Sequence, residues 1–157
     1  MHIIYVHHGN RKLGNPPTQE DDLTELGYRD CELLAELLNN KHIKEKIKAI
    51  YTSPFYRCKK TAEIINKNLN VDVLEDARLN EYKSVNNENW LDLQNRVEDC
   101  INNIVDKFGS DDYVICVTSG INIVSFINKA YNLSPSSNAP MLGVPSCSPI
   151  IFEYIKK

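Results

Sequence analysis

The sequence predicts an α/β fold: a three-layer α/β/α sandwich with a mostly parallel sheet. Short apolar runs alternate with longer amphipathic segments along all 157 residues. The runs end at Gly, Ser or Pro, and the amphipathic segments repeat apolar residues at intervals of three and four. There is no internal repeat, linker or low-complexity tract, so residues 1–157 are expected to form one domain.

The first strand, residues 2–6, is the run Ile3-Ile4-Tyr5-Val6, stopped by His7-His8-Gly9. A glycine there lets the backbone turn sharply and approach a ligand. The polar loop 10–22 carries Arg11, Lys12, Gly14 and the Pro16-Pro17 pair. Pro-Pro disfavours helix, and the loop is expected to be open and exposed. Helix one starts with Thr24 as N-cap and Glu25 in its first turn, and ends near Asn39-Asn40. Leu23, Leu26, Leu33, Leu34, Leu37 and Leu38 follow helical spacing. The charge-rich residues 41–46 read as solvated surface.

Strand two spans 47–51. Ser53 as N-cap and Pro54 at the first helical position then open helix two. Phe55, Cys58, Ala62, Ile65 and Leu69 form its buried stripe. Residues 71–74 make a short third strand, and 76–88 are polar and irregular. Helix three covers 90–107: Trp90, Leu93, Val97, Cys100, Ile101, Ile104 and Phe108 keep helical spacing, and Gly109 is the stop. Trp90 reads as core rather than as a stacking platform. Strand four is 113–117, and Ser119-Gly120 turns into helix four, 121–131. A Ser/Pro/Asn loop over 133–140 precedes strand five, 149–155.

The totals exclude several function classes. Net charge is −3, which disfavours nucleic acid and anionic membrane as partners. No apolar run approaches the roughly 18 residues of a membrane span. The N-terminus lacks a signal-peptide pattern, so a cytoplasmic protein is expected. Cys31, Cys58, Cys100, Cys116 and Cys147 are odd in number and contain no C-x-x-C pair. They are expected to be buried and reduced, without metal or disulfide roles.

Ligands of open α/β sheets bind beyond the carboxyl ends of the strands. There the chain places His7, His8 and Gly9 after strand one, Ser53-Pro54 and Arg57 after strand two, and Ser119-Gly120 after strand four. Two of these are helix N-termini, with free N–H groups and a positive dipole end. The planar fork of Arg57 suits phosphate oxygens. Imidazole is well matched to proton transfer or nucleophilic attack at neutral pH. The combined site is expected to attract a phosphoryl group. Successive strand residues point to opposite faces, so His7 and His8 make a poor chelating pair. His2 and His42 have no supporting context and read as surface residues. No Gly-rich phosphate loop follows strand one, which disfavours a plain nucleotide-binding domain.

These residues carry a resemblance to the histidine phosphatase (phosphoglycerate mutase-like) superfamily, in its short form similar to the phosphohistidine phosphatases. His7-His8-Gly9 resembles the family's strand-Arg-His-Gly, and Asp21-Asp22-Leu23-Thr24-Glu25-Leu26-Gly27 resembles its entry into the first helix. Thr52-Ser53-Pro54-Phe55-Tyr56-Arg57-Cys58-Lys59-Lys60-Thr61-Ala62 is similar to its S-S-P-x-x-R-x-x-x-T-A. Leu79-Asn80-Glu81 resembles its L-x-E element, and Ser119-Gly120 stands where the family has His-Gly.

The resemblance implies a phosphoglycerate mutase-like fold and a phosphatase acting on a phosphate monoester or phosphoprotein. His8 would be the nucleophile that becomes phosphohistidine. Arg57 would neutralise the phosphoryl oxygens, and Glu81 would be the general acid and base. His7, Gly9, Asn10, Arg11, Ser119 and Gly120 would hold the phosphate, and no metal or organic cofactor would be needed. Little of the chain is left for insertions that enclose a substrate, so an open site is implied. Two positions depart from the pattern: His7 replaces an arginine and Ser119 a histidine. Arg11 or Lys12 could supply the missing cation. The departures also leave a second reading open, that of a pseudophosphatase that binds a phosphorylated ligand without turning it over.

Overall fold

The computed structural model describes residues 1–16, 18–83, 87–134 and 143–155. Pro17, most of the loop expected at 133–140 and the two terminal lysines lie outside the described residues.

The elements are β1 (His2–His7), α1 (Glu25–Leu38), α2 (Lys41–Lys44), β2 (Ile47–Thr52), α3 (Tyr56–Asn66), β3 (Asp72–Glu75), α4 (Trp90–Lys107), β4 (Tyr113–Thr118), α5 (Gly120–Ala130) and β5 (Pro149–Glu153). They form one five-stranded sheet in the order β3-β2-β4-β1-β5. The first four strands run parallel, and β5 pairs antiparallel with β1. The alternating side chains of the central strands feed two cores. Ile4, Val6, Ile50, Ile115 and Val117 pack against α1 and α3. Ile3, Tyr5, Tyr51, Val114 and Cys116 pack against α4 and α5. This is the three-layer sandwich that the alternation predicts.

Local chemistry explains most boundaries. Thr24 caps α1 through its side-chain oxygen, which accepts from Gly27 N. Asn89 and Asp92 form a reciprocal capping box at α4, and Ser119 caps α5.

Residues 41–46 are surface as expected, most of their side chains exposed, and contain a turn of helix capped by Asn40. Four expectations need correction. The helix after β2 starts at Tyr56 rather than Pro54, because Ser53 Oγ accepts from Phe55 N and holds the chain in a bend. On α1 the core stripe is Gly27, Cys31, Leu34, Ala35 and Leu38, while Leu26, Leu33 and Leu37 are exposed. Leucines on both faces match helical spacing, so spacing does not select between them. Trp90 is only half-buried and stacks on Tyr82 with ring centroids 4.1 Å apart. His2 is half-buried, stacked on Tyr113 at 4.4 Å. Among the described residues no helix is long and apolar enough to cross a membrane.

Candidate active site

The sheet register brings three chemically loaded turns together. His7 pairs with Thr118 and Thr52 with Val117, so β1, β4 and β2 end side by side. Beyond those ends, His8 N–H donates to Thr118 O at 3.0 Å and Ser53 N–H to Val117 O at 3.1 Å. His8, Ser53 and Ser119 therefore line one edge of the sheet, and all three are buried.

His8 is fixed at both ring nitrogens. Nδ1 lies 2.8 Å from Gly9 O, which can only accept, so Nδ1 carries the proton. Nε2 accepts from Arg57 Nε at 3.1 Å. Burial, reinforced by the neighbouring His7, pulls the His8 pKa down to about 3. The ring is then neutral near pH 7, with its nucleophilic lone pair at Nε2.

Arg57 sits in the first turn of α3 and is 1% exposed. Its Nη2 donates to Glu81 Oε2 at 2.6 Å, its Nη1 to Thr18 O at 3.4 Å, and its guanidinium lies over the Phe55 ring. Imidazole, guanidinium and carboxylate thus form one hydrogen-bonded chain. An open pocket of about 290 Å³ lies against it, lined by Arg11, Thr18, Gln19, Arg57, Glu81 and Lys83 among others. Thr18 and Gln19 belong to the loop expected to be open; Gln19 O accepts from Tyr56 N and folds the loop over the site.

His7 is a site neighbour rather than a residue on the far face. Its ring centroid lies 4.5 Å from that of His8, nearly perpendicular. Alternation fails here because β1 ends at His7 and the chain turns at His8. His7 Nδ1 is 2.7 Å from Val144 O. Burial lowers its pKa, opposed by that hydrogen bond and by the Glu81 charge. With Glu81, Gly120 and Val144 it lines a second cleft of about 260 Å³.

The remaining expected residues fall in different places. Arg11 lines the main pocket, pairs with Asp21 at 3.8 Å, and its charge depresses both histidines. Lys12 is exposed, and its charge acts on Asp22. Asn10 turns away: its backbone and side-chain oxygens both accept from Thr24. Ser119 Oγ accepts from Asn122 N at the α5 N-terminus. Gly120 packs under His7, where an added Cβ would lie 3.2 Å from the ring. Gly9 has no positive φ; its need for glycine is close packing, because a Cβ would meet Cys31 Sγ at 2.8 Å and Gly27 O at 3.0 Å.

Three positioning residues escape the sequence reading. Thr61 Oγ1 accepts from Gly9 N at 2.9 Å and donates to Arg57 O at 2.7 Å, tying the turn after His8 to Arg57. Asn122 Nδ2 donates to Leu79 O, Asn80 O and Thr118 Oγ1, holding the turn before Glu81 against β4. Arg96 donates to Arg78 O and Glu81 O while paired with Glu88. Asn122 carried a signal, being a polar residue among the apolar positions of α5. Among the described residues no group of three or more His, Cys, Asp or Glu is placed to hold a metal ion.

A parallel sheet with an imidazole at its first strand end, a buried guanidinium beside it and a facing carboxylate defines a class: the α/β phosphatases built around a histidine. The chain belongs to the histidine phosphatase superfamily, branch 1, whose family model matches residues 7–85. No curated protein matches it in sequence. Among solved structures, YhfR of Bacillus stearothermophilus superposes with a TM-score of 0.81 at 21% identity, covering 97% of this chain and 90% of that one. A mycobacterial glucosyl-3-phosphoglycerate phosphatase in complex with VO3 gives 0.77 at 18%, covering 96% and 90%. A protein of Agrobacterium tumefaciens, provisionally assigned as the phosphohistidine phosphatase SixA, gives 0.69 at 14%, covering 97% and 90%. At these identities the likeness is one of fold.

Proposed function

We propose that this chain is a phosphatase that hydrolyses a phosphate monoester or phosphoprotein through a phosphohistidine on His8. The observation that carries the reading is the buried contact of Arg57 Nε with His8 Nε2 at 3.1 Å, continued from Nη2 to Glu81 at 2.6 Å. The cation and the carboxyl group line one pocket, and the unprotonated nitrogen is hydrogen-bonded to that cation.

In the resting site the Arg57 N–H occupies the lone pair that has to attack. An arriving phosphoryl dianion takes the guanidinium N–H groups onto its own oxygens, freeing His8 Nε2 and the Glu81 carboxyl together. Glu81, released from Arg57, takes up a proton from solvent; Nε2 forms a bond to phosphorus, the bond to the leaving oxygen breaks, and Glu81 supplies that oxygen's proton. In the second step Glu81 takes a proton from water, the water oxygen attacks phosphorus, and the P–N bond breaks to release phosphate and neutral His8. Gly9 O keeps the proton on Nδ1 throughout. Arg57 and the α5 N-terminus offset the charge on the transferring group.

The departures at His7 and Ser119 support a second reading, a pseudophosphatase that binds a phosphorylated ligand. His7 stands in place of an arginine, and its burial favours the uncharged ring. One experiment separates the two: assay p-nitrophenyl phosphate hydrolysis by the wild type, His8→Ala and the double variant His7→Arg/Ser119→His. Turnover abolished in His8→Ala establishes the enzyme. No wild-type turnover, with activity gained in the double variant, establishes the pseudophosphatase. VO3, bound by the mycobacterial relative, serves as a binding probe under either reading.

A further inference from the structure

Next to the Gly9 backbone, two thiols from distant parts of the chain meet. Cys31 Sγ of α1 lies 3.3 Å from Cys147 Sγ, and both residues are buried. Cys147 has φ of +55°, the left-handed region that residues with a Cβ seldom adopt. Its N–H donates to His7 O at 2.9 Å. Cys31 S–H donates to Thr61 Oγ1 at 3.6 Å, the same oxygen that accepts the Gly9 N–H. The two residues are therefore tied to the residues on either side of His8, Cys147 through its backbone N–H and Cys31 through Thr61. Cys147 lines a surface groove of about 350 Å³ with Asp30, Leu33, Leu37 and Ser146, and Cys31 lies directly behind it.

We infer that Cys31 and Cys147 form an oxidisable pair, closed to a disulfide by a peroxide, that staples the segment around Cys147 to α1 and displaces the backbone at His8. The Cys31 sulfur attacks one peroxide oxygen; the O–O bond breaks, giving a sulfenic acid and one water. Cys147 sulfur then attacks the sulfenic sulfur, the S–O bond breaks, and a second water leaves with the two thiol protons accounted for. The hydrogen bond within the pair lowers the Cys31 pKa and raises that of Cys147, which suits Cys31 to the first attack.

Disulfide sulfurs lie about 2.05 Å apart, so the two must close by about 1.3 Å. Gly9 packs directly on Cys31, where even an added methyl would clash. Closure also removes the S–H that Thr61 accepts. Displacements of about 1 Å near a reacting group can cost about 10²-fold in rate. The effect on turnover rests on the phosphatase reading; formation of the link does not.

The test treats fully reduced wild type and Cys147→Ser with a small molar excess of hydrogen peroxide, then maps peptides without reduction. A linked Cys31–Cys147 peptide in the wild type, absent from Cys147→Ser and reversed by dithiothreitol, is expected. The link closes a loop of more than 100 residues, so the melting temperature rises by about 5–10 °C. Wild-type turnover of p-nitrophenyl phosphate falls about tenfold or more on linking, while Cys147→Ser keeps its own rate. Unlinked thiols, an over-oxidised cysteine in place of the link, or an intermolecular link would overturn the pair. Unchanged turnover in fully linked protein would overturn its coupling to His8. If the reduced protein has no turnover, the phosphatase reading fails while the peptide map still decides the link.

Discussion

Arg57 Nε donates to His8 Nε2 across 3.1 Å while the far side of the same guanidinium grips Glu81. One planar group therefore sets the spacing between the His8 imidazole and the Glu81 carboxyl group. Lysine cannot do this, because an ammonium is a point charge on a flexible stem and reaches one partner at a time. Arg57→Lys is expected to lower kcat/KM for p-nitrophenyl phosphate by about 10²–10³-fold with unchanged far-UV circular dichroism. A loss below about threefold would remove Arg57 from charge neutralisation.

Asn122 acts at a distance from the chemistry. Its amide nitrogen serves Leu79 O, Asn80 O and Thr118 Oγ1 at 2.8–3.0 Å, all within two residues of Glu81 or at the end of β4. Asn122→Ala leaves Asn80 O without its donor, while Leu79 O keeps Thr118 Oγ1, and should cost about 1–3 kcal/mol in urea unfolding. Turnover should fall while VO3 affinity holds, because the carboxyl loses its position and the anion contacts remain. Equal losses in both would show that Asn122 serves only the fold.

How much of this was legible in the sequence follows from what each signal encodes. The order of elements and the capping residues Thr24 and Ser119 are local, and both are readable. His8, Arg57 and Glu81 were named because motif spacing survives in the chain, and the register of β1, β2 and β4 gathers them. The contact of His7 with His8 was not readable, since it depends on where β1 stops. The leucines of α1 occupy two faces, and only the position of α3 decides which face is covered. Thr61 stood within the quoted motif, but its tie between Gly9 and Arg57 spans 52 residues. The 3.3 Å approach of Cys31 to Cys147 spans 116 residues, and no spacing rule reaches that far.

The two candidate replacement cations are no longer equivalent. Arg11 lines the pocket with Arg57 and Glu81, and its charge is felt at both histidines. Lys12 faces Asp22. Arg11→Ala should weaken phosphate or VO3 binding by about tenfold, and Lys12→Ala should leave it unchanged; one charge-assisted hydrogen bond is worth about that much. Isothermal titration at two salt concentrations measures it, with the Arg11 contribution shrinking at high salt. Unchanged affinity in both variants would mean that neither residue replaces the missing arginine.

The buried histidines also predict how stability responds to acid. His8 is held near a pKa of about 3 and His7 is lowered as well, whereas both titrate near about 6.5 in the unfolded chain. Below about pH 6.5 the unfolded state therefore binds protons that the folded state refuses. Unfolding becomes easier as pH falls, by up to about 1.4 kcal/mol per pH unit for each such group. Above that pH the effect is absent. The lowered carboxylates Asp21, Asp22 and Asp76 protonate in the unfolded chain only near about pH 4, so the window between about pH 6.5 and 4.5 belongs to the histidines. Urea unfolding of the wild type should lose stability across that window, and His8→Asn should lose distinctly less. Parallel pH slopes for the two proteins would show that the His8 imidazole protonates as freely in the folded site as in the open chain, and the neutral nucleophile would fall with that result.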